Sequence, residues 1–248
     1  MKKLVALAVI TAALTTINLY SQPQIVISLT GGYNLPLPDL KGNLPDSLGG
    51  PFADSLTYLV NQGFNFGATG KYALGKKRNV RINLGFTYNM FSQSKDYSSG
   101  SVSTAIKQKI NAINISAGVE YAFQPKAKVN PYLGLDLGTY LYSGEFTSSG
   151  FFNLNQKLKS ATRFGGAIGG GIEFQFSKQV GANVGFKYHL ANLIGKEFDS
   201  AAVTSTQWAL NDKEYTVDNT TVKSRNIQYL QLSAGISFFL NQPRSKRR

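Results

Sequence analysis

The sequence predicts an all-β fold, namely an eight-stranded antiparallel up-and-down transmembrane β-barrel. Eight stretches of 11–14 residues alternate bulky apolar residues with small or polar ones, which is the pattern of strands that face a different environment on each side. The connections between these stretches are long and short in turn. Because a tilted strand crosses a bilayer with about 9–11 residues, each stretch is long enough to span one.

Each strand is predicted from this alternation. In the clearest example, Val80, Leu84 and Phe86 lie on one face, and Arg81 and Asn83 lie on the other. The eight predicted strands are Gln24–Asn34, Gln62–Leu74, Val80–Met90, Ala112–Phe123, Tyr132–Tyr142, Arg163–Phe176, Val180–Leu190 and Ile227–Leu240.

The connections indicate which end of the barrel is which. The short connections are Gly75–Asn79, Gln124–Pro131 and Ser177–Gln179. The long, polar connections are Leu35–Asn61, Ser92–Asn111, Ser143–Thr162 and Ala191–Asn226. Bacterial barrels keep short turns in the periplasm and long loops outside, so both mature termini are expected in the periplasm.

Alternation alone does not say which face lies inside, so a soluble barrel with an apolar interior is the alternative. A soluble barrel would expose a face rich in Lys, Glu and Arg, whereas the polar face here is mostly Gly, Ser, Thr, Asn and Ala. The apolar face carries no charge, and its aromatic residues form two bands, as at the two interfaces of a bilayer. One band consists of Tyr33, Phe64, Phe66, Tyr88, Phe164 and Tyr188, and the other of Tyr72, Tyr121, Phe123, Phe174, Phe176 and Phe238. This distribution favours a membrane barrel.

The N-terminus predicts export. A cationic start, Met1–Lys3, precedes an apolar run, Leu4–Leu14, that is too short to span a membrane as a helix, and the small Ser21 follows. The predicted organisation is a signal peptide over 1–21, a barrel over 22–240 and a basic periplasmic tail over 241–248. A retained anchor is the alternative, disfavoured by the length of the run. The absence of cysteine from the sequence excludes a lipid-modified cysteine and a disulfide framework.

The formal net charge is +13, and its excess is one-sided. Ten basic residues and no acidic ones lie in the short turns and the tail, and we call them the basic rim. They are Lys76, Lys77, Arg78, Lys126, Lys128, Lys178, Arg244, Lys246, Arg247 and Arg248. The rim suits phosphate headgroups of outer-membrane lipids, at about 1 kcal/mol per residue, or an acidic periplasmic partner. Nucleic acid is not expected as a partner, because the chain lacks an aromatic-basic motif.

Charged residues on the inward face predict an ion-paired plug, because an eight-stranded barrel is just wide enough for its own side chains. The expected members are Lys71, Arg81, Glu120, Asp136, Glu173 and Lys187. A symmetric hairpin would place Glu120 opposite Asp136, with Arg81 as the neutralising cation. A structural network is favoured over an acid/base dyad, and a continuous pore is not expected.

No cofactor, metal site or enzymatic activity is predicted. The single histidine, His189, points inward above Lys187 and towards Tyr140 or Tyr142, with no second His or Cys to complete a metal site. No serine nucleophile with a base and an orienting acid is apparent. A hydrogen-bonded lumen histidine is therefore the expected role.

The long loops remain as candidate recognition elements. The first contains four prolines, and its Phe52–Val60 portion is expected to form a short helical turn. The last carries the only tryptophan, Trp208, which either anchors a partner together with Tyr215 or packs on neighbouring loops.

The glycine-rich strand Ser28–Tyr33 and the last strand, ending Ile236–Leu240, resemble those of small bacterial outer-membrane barrels related to the OmpA transmembrane domain and OmpX. The resemblance covers Gln24–Leu240 and implies an integral protein of the bacterial outer membrane. In that family the chain usually ends on an aromatic residue, whereas here a basic segment, Asn241–Arg248, follows.

Three functions follow from this prediction. The first is a non-enzymatic protein that stabilises the envelope or contacts a surface partner through its long loops. The second is a subunit of a larger outer-membrane assembly, such as a secretion system, that docks through the basic rim. The third is a narrow channel for a small solute. The sequence does not specify the oligomeric state.

Overall fold

The computed structural model describes residues 23–44, 58–99, 102–150, 153–200, 204, 206–217 and 220–240. The predicted signal peptide, the basic tail 241–248 and residues 52–57 of the predicted helical turn lie outside the described residues. None of the described segments forms a helix long and apolar enough to span a membrane.

Eight long strands form the wall of the molecule. They are β1 (Ile25–Pro36), β2 (Gln62–Ala73), β3 (Val80–Ser99), β4 (Val102–Ala122), β5 (Val129–Gly150), β7 (Ala161–Gln175), β8 (Val180–Ile194) and β12 (Gln228–Leu240). Each pairs antiparallel with its neighbours in the order β4-β3-β2-β1-β12-β8-β7-β5, and the pairing of β4 with β5 closes the ring. The predicted eight-stranded up-and-down barrel is confirmed.

Four short strands lie within the long connections. They are β6 (Leu154–Leu158), β9 (Gln207–Trp208), β10 (Tyr215–Val217) and β11 (Thr220–Val222). The strand β6 pairs with β5 and with β9, so this part of the last connection is tied to the wall.

The assignment of faces is also confirmed. Large apolar side chains point outward along the spanning part of every strand, with Leu84 70% exposed, for example. The adjacent Asn83 is buried in the lumen, as are Ser28 and Asn183. A closed strand ring with hydrocarbon outside satisfies its backbone groups internally, as a bilayer demands.

Two segments predicted as loops are in part strand, so this part of the prediction is wrong. The segments Ser92–Asn111 and Ser143–Thr162 were predicted as loops, but β3, β4 and β5 continue through most of them and β6 lies within the second. The pairing of β3 with β4 continues until Ser99 lies opposite Val102, and the pairing of β4 with β5 continues until Thr104 lies opposite Gly150. On the long-loop side the wall therefore extends well beyond the band of outward-facing apolar residues, which we call the apolar belt.

The polarity of the wall reverses in this extension. Phe91, Ile106 and Ile110 point inward and are buried, whereas Ser94 and Lys107 point outward and are exposed. Water replaces lipid as the outer solvent at this level, so the apolar residues move to the interior.

An apolar core fills the long-loop end of the barrel. Side chains from five of the long strands meet side chains from the first, third and last long connections, and together they form one buried cluster. Its members are Leu40, Tyr58, Val60, Phe91, Ile110, Ala112, Tyr140, Tyr142, Leu158, Ala191, Leu210, Ile227 and Tyr229. The loops that contribute to this core are held against the barrel.

Candidate functional site

Four charged side chains from four strands meet inside the lumen near the short-turn end, which we call the lower end, and we call these side chains the ion cluster. They are Lys71 on β2, Arg81 on β3, Glu120 on β4 and Glu173 on β7. Lys71 Nζ lies 2.8 Å from Glu120 Oε2 and 2.8 Å from Glu173 Oε1. Arg81 Nη1 lies 2.7 Å from Glu173 Oε2, and Arg81 Nη2 contacts Glu120 Oε1. Two cations thus bridge two carboxylates, and the formal charges cancel.

Neighbouring side chains support the ion cluster. Asn130 Nδ2 donates to Glu173 Oε2 at 3.2 Å, and Lys71 Nζ lies 4.1 Å from the ring centroid of Tyr132. All four charged members are at most 7% exposed. Because a buried charge is tolerated only when paired and hydrogen-bonded, this arrangement is stable only as a complete set.

The remaining two predicted members form a separate pair. Lys187 Nζ on β8 donates to Asp136 Oδ2 on β5 at 2.5 Å. The expectation that Glu120 faces Asp136 is wrong, since Glu120 pairs with Gly134 and Asp136 with Gly118. The turn between β4 and β5 sets a register two residues away from the symmetric one. Each carboxylate consequently has its own cations.

A chain of hydrogen bonds crosses the lumen above these ion pairs, and we call it the amide layer. Tyr140 Oη lies 3.0 Å from His189 Nδ1, and His189 Nε2 lies 2.7 Å from Gln231 Oε1. Gln231 then donates to Asn65 at 3.0 Å, and Asn65 donates to Asn34 at 2.9 Å. These residues come from β5, β8, β12, β2 and β1, so the layer reaches most of the way round the barrel.

His189 has no open ring nitrogen for chemistry. Both nitrogens are engaged, and the ring stacks on Tyr229 with centroids 4.4 Å apart. Within the described residues no group of three or more His, Cys, Asp or Glu side chains could hold a metal ion. The geometry thus gives His189 a structural role.

A small polar cavity separates the ion cluster from the amide layer. Its volume is about 50 Å³, and its lining includes Lys71, Asp136, Lys187, His189 and Gln231. A water molecule needs roughly 10–15 Å³ of such space, so the cavity has room for a few waters but not for a larger solute.

The last long connection is fastened over the barrel by a buried ion pair, which we call the loop latch. Arg163 Nη2 donates to Asp212 Oδ1 at 2.9 Å, and Arg163 Nε lies 3.0 Å from Asp212 Oδ2. Asn192 Nδ2 and the backbone N–H of Glu197 donate to the same carboxylate at 2.8 and 3.0 Å. Arg163 and Asp212 are both buried, so the latch belongs to the interior of the molecule.

The first long connection packs against the latched loop. Tyr58 donates its hydroxyl proton to the carbonyl oxygen of Leu210 at 2.8 Å, and the Arg225 guanidinium lies 4.5 Å from the Tyr58 ring centroid. Burial raises the pKa of Tyr58 well above its usual range, so this donor stays protonated. The backbone N–H of Asn226 also donates to Asp39 Oδ2 at 2.9 Å.

The two predicted loop anchors pack within the molecule. Trp208 packs against the apolar core, and it lies opposite Leu158 where its strand β9 pairs with β6. Tyr215 stacks on Phe198 with ring centroids 4.0 Å apart. Their placement matches packing on neighbouring loops, the second of the two roles considered for them.

The described part of the basic rim lies on the three short turns. Lys76, Lys77 and Arg78 belong to the first turn, Lys126 and Lys128 to the second, and Lys178 to the third. The exposed apolar residues Leu74, Phe123 and Phe176 lie only two or three positions before the first lysine of each turn. The cations therefore lie beside the edge of the apolar belt. The four tail members, Arg244, Lys246, Arg247 and Arg248, lie outside the described residues.

Sequence reasoning missed the amide layer and the loop latch. The amide layer left a signal, because Asn34, Asn65 and Gln231 lie at inward positions of the predicted strands. The sequence contains no signal that identifies Asp212, because it is one of five acidic residues in a long polar connection.

Comparisons with known proteins agree with this architecture. A family model described as "Outer membrane protein beta-barrel domain" matches residues 5–211. No curated protein matches the chain. Among solved structures, the chain is similar to Neisserial surface protein A at 16% identity and a TM-score of 0.45, with 88% of this chain and 97% of that one covered.

Two further solved structures show the same degree of likeness. OprG from Pseudomonas aeruginosa is 10% identical with a TM-score of 0.44, and 90% of this chain and 98% of that one are covered. Ail, the attachment invasion locus protein of Yersinia pestis, solved with the heparin analogue sucrose octasulfate, is 15% identical with a TM-score of 0.41, covering 87% and 99%. The family model spans more than four fifths of the sequence, so the chain belongs to the outer membrane protein β-barrel domain family.

Proposed function

We propose that this protein is a closed, non-enzymatic scaffold that presents a structured surface outside the cell, with both termini in the periplasm. The observation that carries the proposal is the obstruction of the lumen at two levels, by the ion cluster and by the amide layer. The apolar core and the loop latch then fill the long-loop end. A channel would need an open path where these buried groups lie.

Conductance measurements test closure directly. The purified protein, reconstituted in a planar bilayer, is expected to give no steady single-channel conductance above the lipid background, because the described side chains of the ion cluster and the amide layer border the cavity of about 50 Å³ on both sides. A general porin reconstituted in parallel is the positive control. Regular current steps from this protein would favour the solute channel instead.

Orientation is tested by cysteine labelling, which has no background because the chain lacks cysteine. Ser98→Cys, at the exposed end of the β3–β4 hairpin, is expected to react with a membrane-impermeant maleimide on intact cells. Lys76→Cys, on an exposed short turn, is expected to react only after the outer membrane is permeabilised. The reverse pattern would contradict the proposed orientation.

The basic rim favours a second contact, with phosphate headgroups of the periplasmic leaflet. Its six described members lie beside the apolar belt on turns that contain no acidic residue. Photo-crosslinking from Lys76 and Lys126 is expected to yield lipid adducts and no stable protein adduct. Recovery of one specific protein would instead support docking in a larger assembly.

A further inference from the structure

A hollow of about 490 Å³ lies on the outer surface of the barrel, and we call it the lateral groove. Its larger lining side chains are apolar and 53–70% exposed. They are Leu84, Ile115, Leu137, Phe164, Leu193 and Ile194. The small side chain of Ala117, which points outward among them, leaves the space between them unfilled. The volume lies in the range of small-molecule sites.

An irregularity in the wall forms one side of the groove. Between β7 and β8 the register shifts, so that Phe164 pairs with Ile194 while Gly166 pairs with Leu190. The extra residues in β8 turn both Leu193 and Ile194 outward, at 53% and 68% exposure. Bulges of this kind re-aim side chains and occur preferentially near functional sites.

Lysines lie above the lateral groove on the same stretch of wall. Lys107 and Lys109 on β4 and Lys157 on β6 point outward around Glu145 on β5, and we call these three lysines the lysine patch. Lys109 Nζ lies 2.6 Å from Glu145 Oε1. Glu145 lies opposite both Lys109 and Lys157, and Lys107 lies one row further along β4, so all three lysines are near one carboxylate. The hydrogen bond from Lys109 and the charges of the three lysines lower the Glu145 pKa. Asp96 lies one row closer to the hairpin end.

The spacing between the lysine patch and the lateral groove matches one lipid molecule. Ile115 and Lys109 are six residues apart on β4, or about 20 Å along the strand at about 3.4 Å per residue. A strand tilt of about 35–45° reduces this to a height of roughly 15 Å, which is half of a hydrocarbon core about 30 Å thick. A headgroup at the patch would thus place its acyl chains at the groove.

We propose that the lysine patch and the lateral groove together form a site for one phosphorylated, multiply acylated lipid of the outer leaflet, the class to which lipid A belongs. Phosphate binds Lys107 and Lys157, which flank the Lys109–Glu145 pair, and an acyl chain occupies the groove. The inference rests on the proposed orientation, which puts the long-loop end outside.

Native mass spectrometry of the full-length protein in detergent tests the site, with diphosphoryl lipid A as the probe and phosphatidylglycerol as the competing phosphate lipid. Wild type is expected to retain one lipid A at collision energies that remove phosphatidylglycerol. Lys107→Gln with Lys157→Gln is expected to weaken lipid A binding by about tenfold or more. The matched control, Lys213→Gln with Lys223→Gln, removes two exposed lysines of the last long connection that belong neither to the lysine patch nor to the basic rim, and it is expected to bind like wild type.

The groove has its own matched pair of variants. Ala117→Phe fills the groove, whereas Ala234→Phe adds the same bulk to the outer face of β12, away from the groove. Only the first is expected to weaken lipid A binding, and the heat-induced gel shift of folded barrels checks that both variants fold.

Three results would overturn the proposal. They are equal weakening by test and control variants, phosphatidylglycerol retention equal to that of lipid A, and a dimer that Ala117→Phe removes, which would make the groove an interface between copies. Detergent removes sidedness, so such failures concern this site alone, whereas the orientation is decided by the cysteine labelling.

Discussion

Replacing Glu173 with glutamine is expected to lower the free energy of unfolding by about 3–5 kcal/mol, because it leaves two buried cations with one carboxylate. Glu173 contacts both Lys71 and Arg81 and is 3% exposed. Glutamine keeps the shape of the side chain but carries no charge, so the loss reports on electrostatics rather than on packing. Urea unfolding of the reconstituted protein, followed by the fluorescence of Trp208, measures the change.

Two comparisons give this measurement its meaning. Lys159→Gln breaks an ion pair with Asp199 in which the side chains are 56% and 37% exposed, and we expect it to cost less than about 1 kcal/mol. Glu173→Gln combined with Lys71→Met leaves Arg81 with Glu120, so the balance of charge is restored and part of the stability returns. Strictly additive losses in the double variant would show that the four groups do not act as a unit.

The alternation of residue types was sufficient to predict the wall and its inside-out arrangement. In β3, for example, Ile82, Leu84 and Phe86 face outward while Arg81 and Asn83 face inward, as the pattern indicates. This works because a strand has a period of two and each face meets a different solvent, so every position reports on one environment. The predicted strands therefore begin and end close to the observed ones where lipid lies outside.

The pattern failed where the outer solvent changes. Beyond Met90, residues such as Ser94 and Lys107 suggested loops, yet Tyr97 and Ile106 still alternate with them and point inward. The period of two continues but the apolar face has moved to the other side. At the boundary between lipid and water, the alternation of apolar and polar residues therefore continues. The apolar residues change from the outward to the inward positions.

The candidate sites depended on information that spacing does not contain. The members of the ion cluster were identifiable as inward charges, but their partners depend on the register of β4 and β5, where Glu120 lies opposite Gly134. The loop latch depends on the path of a long connection. Asn211 reaches a positive φ of 41° just before Asp212, a conformation that asparagine tolerates better than most residues.

Asp212→Asn is expected to release the last long connection and to lower the free energy of unfolding by about 3–5 kcal/mol, since the buried Arg163 loses its counter-ion. The same carboxylate accepts bonds from Asn192 and from the backbone of Glu197, so its charge organises the loop as well as the pair. Hydrogen exchange over residues 195–227 should rise sharply in the variant, while exchange in β1 and β12 should change little.

The matched control is Glu197→Gln, which alters a carboxylate that also contacts Arg163, at 3.3 Å, but has a side chain 73% exposed. Because water screens that contact, we expect less than about 1 kcal/mol and no change in exchange. If Asp212→Asn and Glu197→Gln behaved alike, the loop would be held by the apolar core, through Tyr58 and Leu210, rather than by the latch. If Asp212→Asn opened the loop but gave no conductance in a bilayer, the lumen would be obstructed by the ion cluster and the amide layer. Both lie below the loop that the latch holds.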